Sequence, residues 1–456
     1  MPRFISTRPD STLITLPWST PLEQWPDELL VALPRGLSRH VVRFIGVGDA
    51  IYAAKEMPDG VAAQEFQMLT ELARLGQPAV EVVGIVSDRL DDEGRPLDPV
   101  LLTRHLQFAL PYRSLFTPGV RHDTVMRLLD ALVVLVVRLH LVGFMWGDIT
   151  LSNVLFRRDA ETFSAYLVDA ETAELHEQLS DGQREHDISN GMTNIFGDFL
   201  DLQAGGLFDK ALDANNLIGI IHARYHELWA ELTATEEFKG SELGRIERRV
   251  RRLNALGFDV AELDIETSPD GDRITIRPGV VDAGHHSRRL MRLTGLDTEE
   301  NQARRLLNDL DSYRARTGQQ RREESIVAHQ WLTKCFEPVI AAIPPELHGK
   351  RDDAQLYHEL LDYRWFQCER EGRDVPLDEA LPGYIKDVLR RLPDEELQPV
   401  TAAVGSASST VVTGEIPVID DVPPFDPWEA EVADGLDDVD PFPMLDRAAL
   451  LARSKR

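Results

Sequence analysis

The chain has 456 residues, more than one ordinary hydrophobic core holds, so two or three domains are expected. Hydrophobic residues make up 43% and charged residues 28%, a composition that folds and does not match intrinsic disorder. Acidic residues outnumber basic ones 77 to 49, a net charge of -28, which argues against attraction of the whole molecule to nucleic acid or anionic lipid.

Residues 1–34 contain Pro and Trp and carry no regular period, so they are expected to form an N-terminal extension. No basic, apolar, small-residue signal opens the chain. From His40 the pattern turns to strand: Val41–Ile45, a turn at Gly46-Val47-Gly48-Asp49, then Ala50–Lys55. Ala62–Leu75 reads as a helix with Phe66, Leu69, Leu72 and Ala73 on one face. Gly76 is placed to end it, and Pro78 follows. Strands are expected at Val80–Val86 and Val100–Thr103. A long apolar helix is expected over Asp123–Val142, with Asp123 as its N-cap. Its most apolar run, Ala131–Val137, is broken by Arg138 and His140. That is short of the roughly 20 residues a membrane span needs, so no span is expected. Strands near Val154 and at Tyr166–Val168 flank a polar turn, and helices follow to about Leu256.

A second region opens on a hairpin, Val260–Ile265 and Arg273–Arg277 about Ser268-Pro269-Asp270-Gly271. Helices then run to Leu392. Asp297 is expected to cap one of them, with Glu300 completing the box. From Thr401 to Asp446 there is no Lys or Arg, and acids, Ser, Gly and Pro dominate. That composition reads as a disordered acidic tail. Cys335 and Cys368 are the only cysteines, too few for a disulfide scaffold or a cysteine-built zinc site, and the default compartment is a reducing cytosol. The excess of Arg over Lys fits a GC-rich bacterial genome.

The stretch Trp146-Gly147-Asp148-Ile149-Thr150-Leu151-Ser152-Asn153 carries the chemistry. It places a carboxylate and then a carboxamide between an apolar helix and a strand, and Asp169 follows the next strand. Phosphoryl transfer needs these groups: one carboxylate to orient the attacking hydroxyl and take its proton, a carboxamide and a second carboxylate to hold Mg²⁺ against the nucleotide phosphates. Upstream, Lys55 lies late in an apolar strand and Glu65 on the following helix, so an ion pair between them would hold the ammonium for the phosphates. Glu71 points elsewhere. Taken singly, Asp148 and Asn153 fit turn-formers equally well, and Asp169 a strand terminator. Their order is what makes the pattern specific.

That order, Lys55, Glu65, Asp148, Asn153, Asp169, resembles the protein kinase-like fold. Gly147-Asp148 is similar to the lipopolysaccharide core kinases of the Kdo/WaaP type. The resemblance covers roughly residues 35–230. The remainder, including Gly284-His285-His286-Ser287-Arg288-Arg289-Leu290, resembles the C-terminal domain of an actinobacterial family of unknown function. The resemblance implies that Lys55 contacts phosphates, Glu65 pairs with it, Asp148 is the base, and Asn153 and Asp169 bind Mg²⁺. Leu102–Leu106 would be the hinge beside adenine, with Thr103 and Leu106 offering backbone groups. No G-x-G-x-x-G precedes Lys55, and Arg35-Gly36-Leu37-Ser38 is the candidate to cover phosphates, with Gly36 and Ser38 its contacts. Ala170-Glu171 stands where protein kinases have Phe-Gly, which makes Glu171 a candidate extra ligand. No Arg precedes Asp148, so control by a phosphorylated loop is not expected.

Other features read plainly. Asp187 and Asp198 fit caps or salt bridges, His140 a packed helix residue, and Trp146 core. His285 and His286 are adjacent on a helix, point about 100° apart and do not suit one ion. The arginines of 245–252 and 288–322 read as a solvated surface paired with acids, and nucleic acid is not an expected partner.

The expected fold class is α+β: a bilobal kinase-like domain (35–240) after an extension (1–34), a mainly helical α+β domain (241–395) and an acidic disordered tail (396–456). The expected function is an ATP- and Mg²⁺-dependent kinase acting on a hydroxyl of a sugar, glycan or other small molecule. The alternative is a pseudokinase that binds nucleotide, or docks proteins, without turnover. A protein partner through the C-terminal domain or tail is also an expectation.

Overall fold

The computed structural model describes residues 2–7, 11–31, 33, 39–48, 50–116, 120–207, 212–233, 236–239, 263–267, 273–278 and 284–396. The fold class is α+β, with a sheet-rich N-terminal lobe and a helical C-terminal region. The described residues up to His226 and from His286 onward make one compact unit, and Glu227–His285 contributes to another. The acidic tail, Gly36, Ser38, and the arginines of 245–252 lie outside the described residues.

The first unit opens on a five-stranded antiparallel sheet. Its strands are β1 (Arg3–Ser6), β2 (Val41–Val47), β3 (Ala50–Glu56), β4 (Val82–Ser87) and β5 (Val100–Arg104), in spatial order β1-β4-β5-β3-β2. The period-2 patterns of 41–45 and 50–55 pair as a hairpin, Val41 opposite Glu56 through Val47 opposite Ala50. Gly48 supplies the positive φ (59°) that a tight turn between such strands demands. The expected strand at Val80 starts instead at Val82. Val80 N donates to Leu167 O (2.9 Å), which ties this segment to the larger lobe.

The extension is not a free arm. Its β1 adds an edge strand to β4, and Trp18 and Trp25 pack edge-on at 5.2 Å inside the apolar cluster of the sheet. Arg89, 1% exposed, holds it there. Its guanidinium donates to Trp18 O (3.0 Å) and Thr20 O (2.7 Å) and pairs with Glu56 (2.6 Å). Glu56 is the neighbour of Lys55, so this buried charge is compensated where β3 ends.

Helix α1 (Asp59–Arg74) buries Ala62, Met68, Leu69 and Leu72. Gly76 (φ 64°) closes it: Gly76 N donates to Ala73 O (3.2 Å) and Gln77 N to Leu72 O (2.9 Å), a Schellman motif. Helix α2 (His122–Leu141) is the expected apolar helix. Its N-cap is Arg121, and Asp123 sits inside the first turn, where its charge faces the unpaired backbone N–H groups. Beyond the short strands β6 (Ala109–Pro111) and β7 (Phe144–Met145) come the hairpin β8 (Val154–Asp159) and β9 (Thr162–Leu167), and β10 (Glu174–Leu175). Helices α3 (Asp181–Ala204) and α4 (Ala214–Thr233) follow. Ser180 caps α3 in a full box with Gln183.

In the second unit, strands β11 (Glu236–Lys239), β12 (Leu263–Thr267) and β13 (Arg273–Pro278) form one antiparallel sheet in the order β11-β13-β12. The expected hairpin is present as β12 and β13, and β11 is an addition.

Helices α5 (His285–Thr294), α6 (Glu300–Arg316), α7 (Glu324–Trp331), α8 (Glu337–Ala342), α9 (Asp353–Glu371) and α10 (Leu377–Asp387) share an apolar cluster around Trp331, Tyr357 and Tyr384. Asp297 does not cap α6. Glu299 is its N-cap, Gln302 Oε1 accepts from Glu299 N (3.2 Å), and Gln302 N donates to Asp159 Oδ1 (2.8 Å) at the tip of the β8–β9 hairpin. Glu300 caps the preceding helix instead, accepting from His286 N and Ser287 N at 3.0 Å each. Arg158 pairs with Glu395 (2.7 Å), and Gln355 accepts from Ala160 N (3.1 Å) and donates to Ala160 O (3.2 Å). These helices therefore grip the hairpin that joins Asn153 to Asp169. Of the arginines in 288–322, Arg289 pairs with Glu324 and Arg305 with Asp362, while Arg314 binds backbone carbonyls. Among the described residues, no helix is long and apolar enough to cross a membrane.

Candidate active site

Tyr52 and Ala54 of β3 turn into the sheet's core, so Lys55, of opposite parity, lies on the other face of the strand. Helix α1 carries Glu65 within its own apolar stripe, 1% exposed. A carboxylate buried there needs a cation, and Lys55 supplies it: Nζ lies 2.9 Å from Glu65 Oε2 and 2.7 Å from Asp169 Oδ2. Glu71 pairs with Arg74 on the outer face (2.7 Å). Burial and the neighbouring Asp169 push the Glu65 carboxyl up to about 7. Burial works against the Lys55 ammonium, but Glu65 and Asp169 outweigh it and hold its pKa above the ordinary lysine value.

The loop of Asp148 is fixed from beneath. Asp187 of α3, fully buried, accepts from Trp146 N (2.8 Å) and Gly147 N (2.8 Å), and His140 Nε2 lies 3.0 Å away. His140 Nδ1 in turn meets the Tyr225 hydroxyl of α4 at 2.7 Å. Asp198 accepts from Leu151 N (2.8 Å). The plain reading of Asp187 and Asp198 as caps or salt bridges is thus incomplete: Asp187 does meet His140, and both also bind backbone N–H groups of a loop 40 or more residues upstream. Gly147 has φ 79°, and a Cβ there would sit 2.9 Å from Thr172 O, so glycine is required on both counts. Trp146 is fully buried, as core was expected to be, and also donates from Nε1 to Asp169 O (2.8 Å).

Asn153 follows Thr150, whose hydroxyl accepts from Asn153 N (3.1 Å) and shapes a short 3₁₀ turn over Leu151–Asn153. Asn153 Nδ2 donates to Asp148 O (3.1 Å) and Asp148 Oδ2 (3.2 Å), so these two bonds leave its Oδ1 available to a cation. Asn194 of α3 donates to Asp148 Oδ1 (3.1 Å), a contact to the candidate base that no local pattern announces. Partial burial, with Asp169 and Glu171 nearby, raises the Asp148 pKa despite the Asn153 hydrogen bond.

Asp169 follows β9, and its Oδ1 accepts from Glu171 N (3.1 Å). Glu65, Asp169 and Glu171 offer carboxylate oxygens within 4.8 Å of one another. Glu171 is ringed by His40 (2.9 Å), Arg39 and, at 3.9 Å, Lys55. Carboxylates at Asp169 and Asp148 and a free carboxamide oxygen at Asn153 are all hard oxygen donors, which fit Mg²⁺ and not a thiophilic metal. Thr103 sits in β5 opposite Ala53 and Val82. His105 N is taken by Ile51 O (2.8 Å), and among the described residues Leu106 makes no backbone hydrogen bond. The candidate phosphate contacts Gly36 and Ser38 lie outside the described residues.

Residues 48–194 match the model of the Lipopolysaccharide kinase (Kdo/WaaP) family, and residues 227–389 match that of Domain of unknown function (DUF4032). One solved structure, WaaP in complex with acyl carrier protein, aligns with 50% of this chain and 90% of its own at 15% identity, with a TM-score of 0.32. No curated protein matches the chain. The chain thus joins a kinase-like stretch of the Kdo/WaaP type to a C-terminal stretch of the DUF4032 type.

Proposed function

We propose that this protein is a kinase that passes the terminal phosphate of ATP, with Mg²⁺, to a hydroxyl of a sugar, glycan or other small molecule. The observation that carries the reading is the meeting of Lys55 with Glu65 and Asp169 at 2.9 and 2.7 Å, from three separate elements. An ammonium held between two carboxylates is placed to receive the α- and β-phosphates. The match of residues 48–194 to a lipopolysaccharide kinase family supports a sugar-type acceptor. ATP supply places the reaction in the cytosol.

Asp148 is assigned as the base. As the acceptor oxygen bonds to the γ-phosphorus and the bond to the ADP oxygen breaks, the hydroxyl proton passes to the Asp148 carboxylate. A carboxyl raised by burial is better matched to that task near neutral pH than an exposed one. Asn194 and Asn153 fix its orientation. Asp169 and Asn153 would hold Mg²⁺, which when bound neutralises charge on the phosphates. Leu106 is assigned to the adenine through its backbone groups.

The test is phosphate transfer from γ-labelled ATP to small-molecule fractions of a bacterial extract, with the full chain and with Asp148→Ala. The wild type should label a fraction that the variant does not, while both bind ATP. Equal transfer by the variant rejects the assigned base. ATP binding without any transfer by the wild type replaces the kinase with the nucleotide-binding scaffold.

A further inference from the structure

Away from the cleft, α3 and α4 bring two imidazoles and a carboxylate to one point. His222 and His226 lie one turn apart on α4, and Glu185 projects from α3. His226 Nε2 is 3.2 Å from His222 Nε2 and 3.3 Å from Glu185 Oε2, and His222 Nε2 is 3.5 Å from Glu185 Oε1. The side chains of His222, His226 and Glu185 are 45%, 46% and 50% exposed, so the point is reachable from solvent. Two Nε2 atoms facing each other at this distance cannot both carry a proton. At least one lone pair therefore points inward beside the carboxylate.

Such mutual separations are what a single small ion requires. Ligand atoms about 2.0–2.1 Å from a metal, at angles of about 100–110°, stand roughly 3.2–3.4 Å apart. We propose that Glu185, His222 and His226 form a binding site for a divalent transition metal of the zinc class, with solvent completing the coordination. Two imidazoles select against Mg²⁺ and Ca²⁺, which take oxygen ligands. A second mixed cluster, Glu161, His358 and Asp362, differs in kind: it holds a single imidazole, and Asp362 is already paired with Arg305.

The site has a structural consequence. Glu185 lies two residues before Asp187, and His226 follows Tyr225, so an ion shared by α3 and α4 ties together the two helices whose Asp187–His140–Tyr225 chain holds the Asp148 loop. The ion clamps that scaffold from outside and does not touch the nucleotide.

The test uses the full chain and the metal alone. Co²⁺, as a visible-absorption probe, and then Zn²⁺ are titrated into wild type, His222→Ala/His226→Ala and Asp169→Ala. Wild type and Asp169→Ala should bind one tight equivalent with imidazole–Co²⁺ absorption that excess Mg²⁺ does not displace. The double variant should bind at least ~10-fold more weakly, and Zn²⁺ should raise the melting temperature of the wild type but not of the double variant. Both replaced side chains are half-exposed, and an unchanged metal-free melting temperature checks that the variant folds. Equal affinity in wild type and double variant, or loss of the site in Asp169→Ala, places the ion elsewhere and overturns the assignment.

Discussion

Replacing Asp187 by Ala removes the acceptor of two backbone N–H groups and one imidazole, at 2.8, 2.8 and 3.0 Å, from a position with no solvent exposure. Each buried donor left unpaired costs about 1–3 kcal/mol, and bonds to a charged acceptor lie at the upper end. Relief of the buried carboxylate's own desolvation offsets part of that. The sum is a loss of about 3–6 kcal/mol, which for a unit of this size lowers the melting temperature by roughly 4–8 °C. Where the variant still folds, Trp146 and Gly147 are no longer held, so kcat should fall steeply while ATP affinity, set by Lys55 and Glu65 in the other lobe, changes little. Thermal unfolding and steady-state kinetics on the purified chain measure both. An Asp187→Ala protein within ~1 kcal/mol of wild type, or one whose ATP affinity collapses while kcat persists, refutes this account of the loop.

Two more outcomes follow from the same geometry. Asp169→Ala should weaken Mg²⁺-ATP binding, because Lys55 loses its 2.7 Å partner and the metal loses a carboxylate; an unchanged affinity in a calorimetric titration removes Asp169 from the metal site. Glu65, with a folded pKa of about 7, binds a proton that the unfolded chain releases near the ordinary glutamate value of roughly 4.3. Its contribution to folding therefore becomes less favourable as pH rises from about 4.5 to about 7 and is flat above that. Wild-type stability across that window should decline relative to Glu65→Gln, and pH-independent differences between the two would show that Glu65 does not titrate there.

The order Lys55, Glu65, Asp148, Asn153, Asp169 and the elements carrying it were legible in the sequence. Alternating apolar residues mark strands such as β2 and β3, a 3.6-residue period marks α1 and α2, and polar residues at their junctions stand out against both. The sequence alone also showed that the proposed metal ligands, Asn153 and Asp169, offer only oxygen atoms. What it could not reveal are partnerships across long stretches of chain. Asp187 reaches back to Trp146 and Gly147, Asn194 to Asp148, Asp159 forward to Gln302, and Arg89 to Trp18 and Thr20. In each case a polar side chain meets a backbone or side-chain group that no local period specifies, so its position carries only the weak signal of a cap or a surface charge. Asp297 and Glu300 mislead for the same reason: both have the residue type of a local cap, but the buried Asp159 carboxylate had already claimed the N–H of Gln302. Tertiary packing decides such contests, because a carboxylate sealed from water binds whichever donors the fold brings to it.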